Sequence, residues 1–129
     1  MSSTYTRILA VDDDPILLQV MTAFFTRHGI EVVTASNGSK ALQLLGELDD
    51  IDLIVTDLHM PDSNGIELID QLRQAGCRVP IAIVSSADRT LLSSASELAR
   101  AYQLELVGAI GKPVNFQELA KLLGLPEAA

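Results

Sequence analysis

With a single cysteine, Cys77, the chain cannot close an internal disulfide and offers no paired-thiol spacing for a metal. No base or second thiol lies near it in sequence, so Cys77 reads as an ordinary thiol beside a loop. Basic residues are scarce as well: nine Lys and Arg stand against 17 Asp and Glu, a net charge of -8. That balance argues against nucleic acid as a direct partner and is compatible with holding a cation. Long apolar runs are missing too, since nothing approaches the roughly 18 to 20 unbroken apolar residues of a membrane span. The first apolar stretch, Ile8–Val11, meets three acids at once, which leaves no room for the hydrophobic region of a signal peptide. These absences predict a cytoplasmic protein that makes no membrane contact. There is no repeat, linker or low-complexity tract.

What remains is a globular composition, 48% hydrophobic and 20% charged, over 129 residues. One domain is expected over 1–129 with its core at about 7–123. A chain of this size buries roughly two thirds of the surface it exposes when unfolded. Its most informative stretch is Leu53-Ile54-Val55-Thr56-Asp57-Leu58-His59-Met60-Pro61, an apolar run that ends in a carboxylate and then a proline-bearing turn. Loop chemistry on both flanks, Asp49-Asp50 before and Pro61-Asp62-Ser63-Asn64-Gly65 after, predicts a short buried strand with Asp57 at its carboxyl end.

Four more strand-then-helix units surround it. Arg7–Val11 reads as strand one, followed by a helix with Asp14 as N-cap, Pro15 at its first position, Leu17, Val20, Met21 and Phe24 inward, and Gly29 as its stop. Glu31–Ala35 reads as strand two, with a helix capped by Ser36 or Asn37 and lined by Ala41, Leu44, Leu45 and Leu48. After strand three, Gly65 to Ala75 predicts a helix with Ile66, Ile69 and Leu72 inward, ended by Gly76. Ile81 to Val84 is a fourth strand ending at Ser85, and Asp88 opens a helix that turns Leu91, Ala95, Leu98 and Tyr102 to one face. Glu105 to Ile110 is the fifth strand, and Asn115 with Glu118 forms a capping-box pattern ahead of Leu119, Leu122 and Leu123. Parallel crossovers require a helix each time, so the expected fold is α/β: an open five-stranded parallel sheet between helices, a flavodoxin-like three-layer sandwich. For strand order 2-1-3-4-5 the order reverses between strands one and three, where a ligand site is expected at the carboxyl ends.

That rim collects chemistry. Asp12 and Asp13 end strand one, Asp57 ends strand three, Ser85 ends strand four and Lys112 ends strand five. Two like charges ~5 Å apart repel by roughly 3 kcal/mol at an effective dielectric of 20, so three crowded carboxylates call for a cation. Hard oxygen donors without Cys or paired His favour Mg2+. Such a site suits phosphoryl transfer with Asp57 as nucleophile, Mg2+ and Lys112 neutralising the phosphoryl oxygens and the Ser85 hydroxyl bonding one of them.

Val11-Asp12-Asp13-Asp14, Asp57-Leu58-His59-Met60-Pro61 with Gly65 eight residues beyond the acid, Ile83-Val84-Ser85 and Lys112-Pro113 together resemble the receiver domain of two-component response regulators over Arg7 to about Leu123. The resemblance implies Asp57 as phosphoacceptor, Asp13 as a direct and Asp12 as a mainly water-mediated Mg2+ ligand, and the backbone carbonyl of His59 as a further ligand. It implies Ser85 and Lys112 as phosphoryl-sensing groups, and a cis peptide between Lys112 and Pro113. The implied partner is a sensor histidine kinase or phosphotransfer protein, with an effector domain or a homodimer formed through helices four and five. No catalysis is implied beyond the domain's own phosphotransfer and self-dephosphorylation.

Two departures stand out. The position three before the lysine, where receivers commonly carry Tyr or Phe as a switch, holds Ala109. Ser85 and Lys112 are 27 residues apart, and the surplus falls in the fourth helix and its following loop; segment 88–95 resembles receivers placed ahead of EAL-type cyclic-di-GMP phosphodiesterase domains. With Ala109 in place, the long fourth helix is expected to carry more of the conformational response. The His59 side chain, two residues past Asp57, is in range to modulate aspartyl-phosphate lifetime. Asp14 reads as a cap rather than a ligand, Asp49, Asp50 and Asp52 as a solvated loop, and His28 as exposed. The competing readings are a phosphorylation-independent interaction module with an unused acidic Mg2+ site, and a small-molecule phosphotransferase or phosphatase. The last is weakened because no Gly-rich phosphate loop and no second acid–base pair appear.

Overall fold

Each apolar run forms the strand that its flanks predict, and each amphipathic segment the following helix. In the computed structural model, which describes residues 5–60, 63–86 and 89–125 and the backbone alone at 59–60, 63–66 and 89–92, the strands are β1 (Arg7–Val11), β2 (Glu31–Ala35), β3 (Leu53–Thr56), β4 (Ile81–Ser85) and β5 (Leu106–Gly111). They alternate with helices α1 (Pro15–Arg27), α2 (Gly38–Glu47), α3 (Gly65–Gln74), α4 (Arg89–Ala101) and α5 (Phe116–Leu123). The sheet runs β2-β1-β3-β4-β5 with every neighbouring pair parallel, which is the expected order. Between β3 and α3, His59–Met60 pairs antiparallel with Ser63–Asn64.

Alternation along the strands divides the core into two layers. Leu9, Val11, Ile54 and Ile83 face α2, α3 and α4, meeting Ala41, Leu68, Ile69, Leu72, Ala95 and Ala99. Ile8, Ala10, Leu53, Val55, Ala82 and Val84 face α1 and α5, meeting Met21, Phe25, Leu119 and Leu123. Every residue of β3 is buried, which explains why its sequence is apolar without alternation. Full burial of each large aliphatic or aromatic side chain contributes about 1.5–3 kcal/mol, so this double layer makes the sheet a stiff mount for its rim.

Local signals match closely at the caps. Asp14, Asn37 and Asn115 are the N-caps of α1, α2 and α5, each accepting from backbone N–H groups of the first turn. Gly29 and Gly76 follow α1 and α3 at φ 73° and 70°, a conformation only glycine adopts without strain. Asp88 lies outside the described residues.

Helix faces are rotated from expectation in places. On α1, Met21 and Phe25 are the buried pair and Val20 is 44% exposed, because Leu17 to Phe25 is apolar enough to allow two stripes and contact with the sheet selects between them. Phe24 leans toward α5, its ring centroid 4.9 Å from that of Phe116. Leu68 joins Ile69 and Leu72 under α3, and Ala99 joins Ala95 under α4 with Leu98 and Tyr102 at the edge. The side chains of Ile66 and Leu91 lie outside the described residues. On α5, Ala120 is buried with Leu119 and Leu123, while Leu122 lies over β5 at Gly108, where a Cβ would come 2.4 Å from its Cδ1.

Asp50 and Asp52 are not simply solvated. Asp52 accepts from Thr6 N–H at 2.7 Å, Thr6 Oγ1 at 2.9 Å and Arg7 N–H at 3.1 Å, and Asp50 pairs with Arg7 Nη1 at 2.7 Å. They tie down the start of β1 at the end of the sheet opposite the rim.

Candidate functional site

Register brings the site together. Val11 pairs with Thr56, so the next residues, Asp12 and Asp57, leave the sheet side by side. The ladder continues past the strands: Asp57 N–H donates to the Val11 carbonyl at 3.0 Å, Asp12 N–H to Ala35 at 3.1 Å and Lys112 N–H to Ser85 at 3.0 Å. Backbone bonds thus set the origin of three functional side chains before any of those side chains interact. Leu58, fully buried, anchors the loop just past Asp57.

Asp12 is 1% and Asp57 3% exposed, while Asp13 is exposed. Carboxylate oxygens of all three lie within 4.8 Å of one another. Lys112 Nζ sits 2.8 Å from Asp12 Oδ2 and 2.9 Å from Asp57 Oδ2, bridging the two buried acids. The other oxygen of Asp12, Oδ1, accepts from Asp14 N–H at 2.9 Å. Sequence reasoning placed Lys112 on the rim but did not anticipate that its ammonium contacts both acids at once. Ser85, buried, ends β4 opposite Gly111, immediately before Lys112. The peptide between Lys112 and Pro113 is cis, as the resemblance implies. Ala109 lies exposed on β5 opposite Ile83. His59 begins the two-residue ladder opposite Asn64, and its imidazole lies outside the described residues.

The electrostatics follow from burial. Desolvation raises the Asp12 carboxyl above the ordinary aspartate range, against the opposing pull of Lys112 and the Asp14 N–H, and the neighbouring Asp57 charge adds to the rise. For Lys112 burial acts downward, yet its bonds to Asp12 and Asp57 outweigh it and the ammonium is held above its ordinary range. Three carboxylates against one ammonium still leave the pocket negative.

Three hard oxygen donors, two of them buried, form a donor set that fits a small divalent cation. Because a bound cation requires ionised ligands, Mg2+ affinity should fall as pH drops through the raised titration range of Asp12, starting at a higher pH than an exposed aspartate would give. Calorimetric Mg2+ titrations across pH, with proton release measured in buffers of differing ionisation enthalpy, check this. An affinity that declines only in the range of free aspartate would count against it.

Residues 8–124 match the family model for the response regulator receiver domain. The chain belongs to that family. As a receiver domain it is 30% identical over 109 residues to the Regulator of RpoS of Escherichia coli K12, covering 84% of this chain and 31% of that relative, so the chain spans about a third of the curated protein it matches. The chemotaxis protein CheY4 of Vibrio cholerae is 26% identical with a TM-score of 0.78, covering 94% of this receiver domain and 98% of that chain. TrrA of Thermotoga maritima, a response regulator solved with Mg2+ and BeF, is 26% identical with a TM-score of 0.75, covering 90% of this chain and 94% of its own. Receiver domains of two-component response regulators are signalling domains, and the Asp12, Asp13 and Asp57 cluster fits their phosphoacceptor site. No helix of the described residues is long and apolar enough to cross a membrane.

Proposed function

We propose that this chain is one receiver domain in which Asp57 accepts a phosphoryl group from a phosphohistidine on a sensor kinase or phosphotransfer protein. The observation that carries this reading is the buried Asp57 carboxylate beside Asp12, with Lys112 Nζ at 2.9 Å. An Asp57 oxygen attacks phosphorus as the bond to the histidine nitrogen breaks, and the electron pair of that bond leaves with the imidazole. Lys112, already 2.9 Å from Asp57 Oδ2, balances charge on the transferred group, and the Ser85 hydroxyl bonds one of its oxygens. Asp12, Asp13, Asp57 and the His59 carbonyl hold Mg2+, which supplies charge neutralisation for the phosphoryl oxygens. Attack of water on the acyl phosphate returns the domain to its resting state, at a rate that the His59 side chain modulates.

Conversion of Asp57 to its phosphate redirects Lys112 and shifts the surface formed by α4, β5 and α5. With Ala109 in place of an aromatic, α4 carries more of that shift, toward an effector domain or a second copy. The domain acts in the cytoplasm.

Incubation with acetyl phosphate and Mg2+ followed by intact-mass measurement tests the reading: one phosphoryl mass, mapped to Asp57, is expected. The missing aromatic at Ala109 favours one alternative, a module that binds partners without phosphorylation, and an unchanged mass would favour that alternative. Docking of the donor falls to α1, whose Ile16 is 71% exposed and, with Val20, forms an apolar pair one turn apart beside the rim. Ile16→Asp should slow transfer from a phosphorylated donor protein by about 5- to 10-fold, the cost of losing a moderate interface contact. Labelling by acetyl phosphate should be unchanged; equal loss with both donors would remove the docking role.

A further inference from the structure

Asp12 is held from both ends, by the Lys112 ammonium at Oδ2 and by the Asp14 backbone N–H at Oδ1. The second bond lasts only while the turn between β1 and α1 keeps the Asp14 amide facing back toward the sheet. Three hydrogen bonds and one steric restraint hold it there. The Asp14 side chain accepts from Ile16 N–H at 3.0 Å and Leu17 N–H at 3.4 Å, tying the residue to the first turn of α1. Leu18 N–H closes the first helical bond on the Asp14 carbonyl at 3.1 Å. Pro15 restricts the residue before it to extended backbone, and Asp14 lies at φ -92° and ψ 106°. Its carboxylate is engaged with the helix, whereas the carboxylates gathered within 4.8 Å belong to Asp12, Asp13 and Asp57.

We propose that Asp14 is a positioning residue for the cation site: by capping α1 it aims its backbone N–H at Asp12 Oδ1 and so presents Oδ2 to the pocket. This rests on the reading of the cluster as a Mg2+ site. A carboxylate free to rotate must be ordered when the ion binds, whereas one already fixed by a donor outside the coordination sphere is not. Asp14 therefore acts through geometry, and its own charge is dispensable.

The test is calorimetric Mg2+ titration of the whole chain in four forms: wild type, Asp14→Ala, Asp14→Asn and Asn37→Ala. Asp14→Ala should weaken Mg2+ binding about 3- to 10-fold, at or below the lower end for outer-shell partners because the donating amide itself remains. Asp14→Asn should bind as wild type does, since asparagine caps a helix equally well while lacking the charge. Asn37→Ala removes the comparable cap of α2 and should lower the melting temperature without changing Mg2+ affinity. The proposal is overturned if Asp14→Ala binds like wild type, if Asp14→Asn is as weak as the alanine variant, or if Asn37→Ala weakens binding equally. Should Asp14→Ala fail to fold, Asp14→Gly takes its place, because glycine is tolerated at N-caps yet offers no side-chain acceptor. No binding by the wild type would overturn the metal reading itself, and this proposal with it, an outcome distinct from wild-type binding that Asp14→Ala leaves unaltered.

Discussion

Asp57→Asn should reduce phosphoryl incorporation from acetyl phosphate to background while the domain stays folded. The amide is nearly isosteric with the carboxylate but is a far poorer nucleophile, so the chemical step loses its attacking group. Asp57 is buried, and the volume-conserving change opens no cavity. Lys112 keeps its contact with Asp12 at 2.8 Å, so the ammonium is not stranded, and one of three crowded negative charges is removed. Intact mass with and without Mg2+, alongside thermal denaturation, checks both halves. If the asparagine variant still gained a phosphoryl mass, the acceptor would be a group other than Asp57 and the assignment of roles would be wrong.

The second large effect is on stability. Lys112→Met should destabilise the Mg2+-free domain strongly and make its stability depend much more steeply on Mg2+. The lysine supplies the counter-charge for two almost fully buried carboxylates and is itself 20% exposed. Removing one partner of a buried ion pair costs about 3–5 kcal/mol, and partial exposure of Lys112 places this case at the lower end. For a domain of this size that is a fall on the order of 10 °C in melting temperature. Added Mg2+ should recover much of it, because two carboxylates freed of the ammonium offer the cation a stronger field. The lysine thus holds the resting pocket together and competes with the ion for Asp12 Oδ2. Melting curves of both proteins across a Mg2+ series would show this as converging stabilities; identical curves at zero Mg2+ would remove Lys112 from that role.

Much of this was legible in the chain. Pro15 after Asp14, Gly29, Gly76 and the Asn115 cap act within a single turn, so local chemistry alone marks where α1, α3 and α5 begin or end. Strand edges were readable because fully buried parallel strands need uninterrupted apolar residues, as in Leu53–Thr56. Helix faces were less so. Val20 and Phe25 are both apolar and nearly opposite in consequence, one exposed and one fully buried, because the rotation of α1 is set by contact with a sheet whose other strands lie far away in sequence. Asp52 looked like loop solvent for the same reason: its partners, Thr6 and Arg7, are 46 and 45 residues away.

The sequence by itself determined the number and order of the five sheet strands and their helices, though not the short His59–Met60 and Ser63–Asn64 pair, and it placed Asp12, Asp13, Asp57, Ser85 and Lys112 at strand ends, because parallel topology delivers every such end to one rim. Only the tertiary structure decided how these groups meet. Lys112, just past the end of β5, spans two acids that end the neighbouring strands β1 and β3, Asp13 is exposed while Asp12 is sealed in, and the Asp14 amide turns back onto Asp12. Those relations depend on strand register and on the turn that α1 imposes. They are set at the scale of single hydrogen bonds between distant segments, and the spacing of residues along the chain carries no record of them.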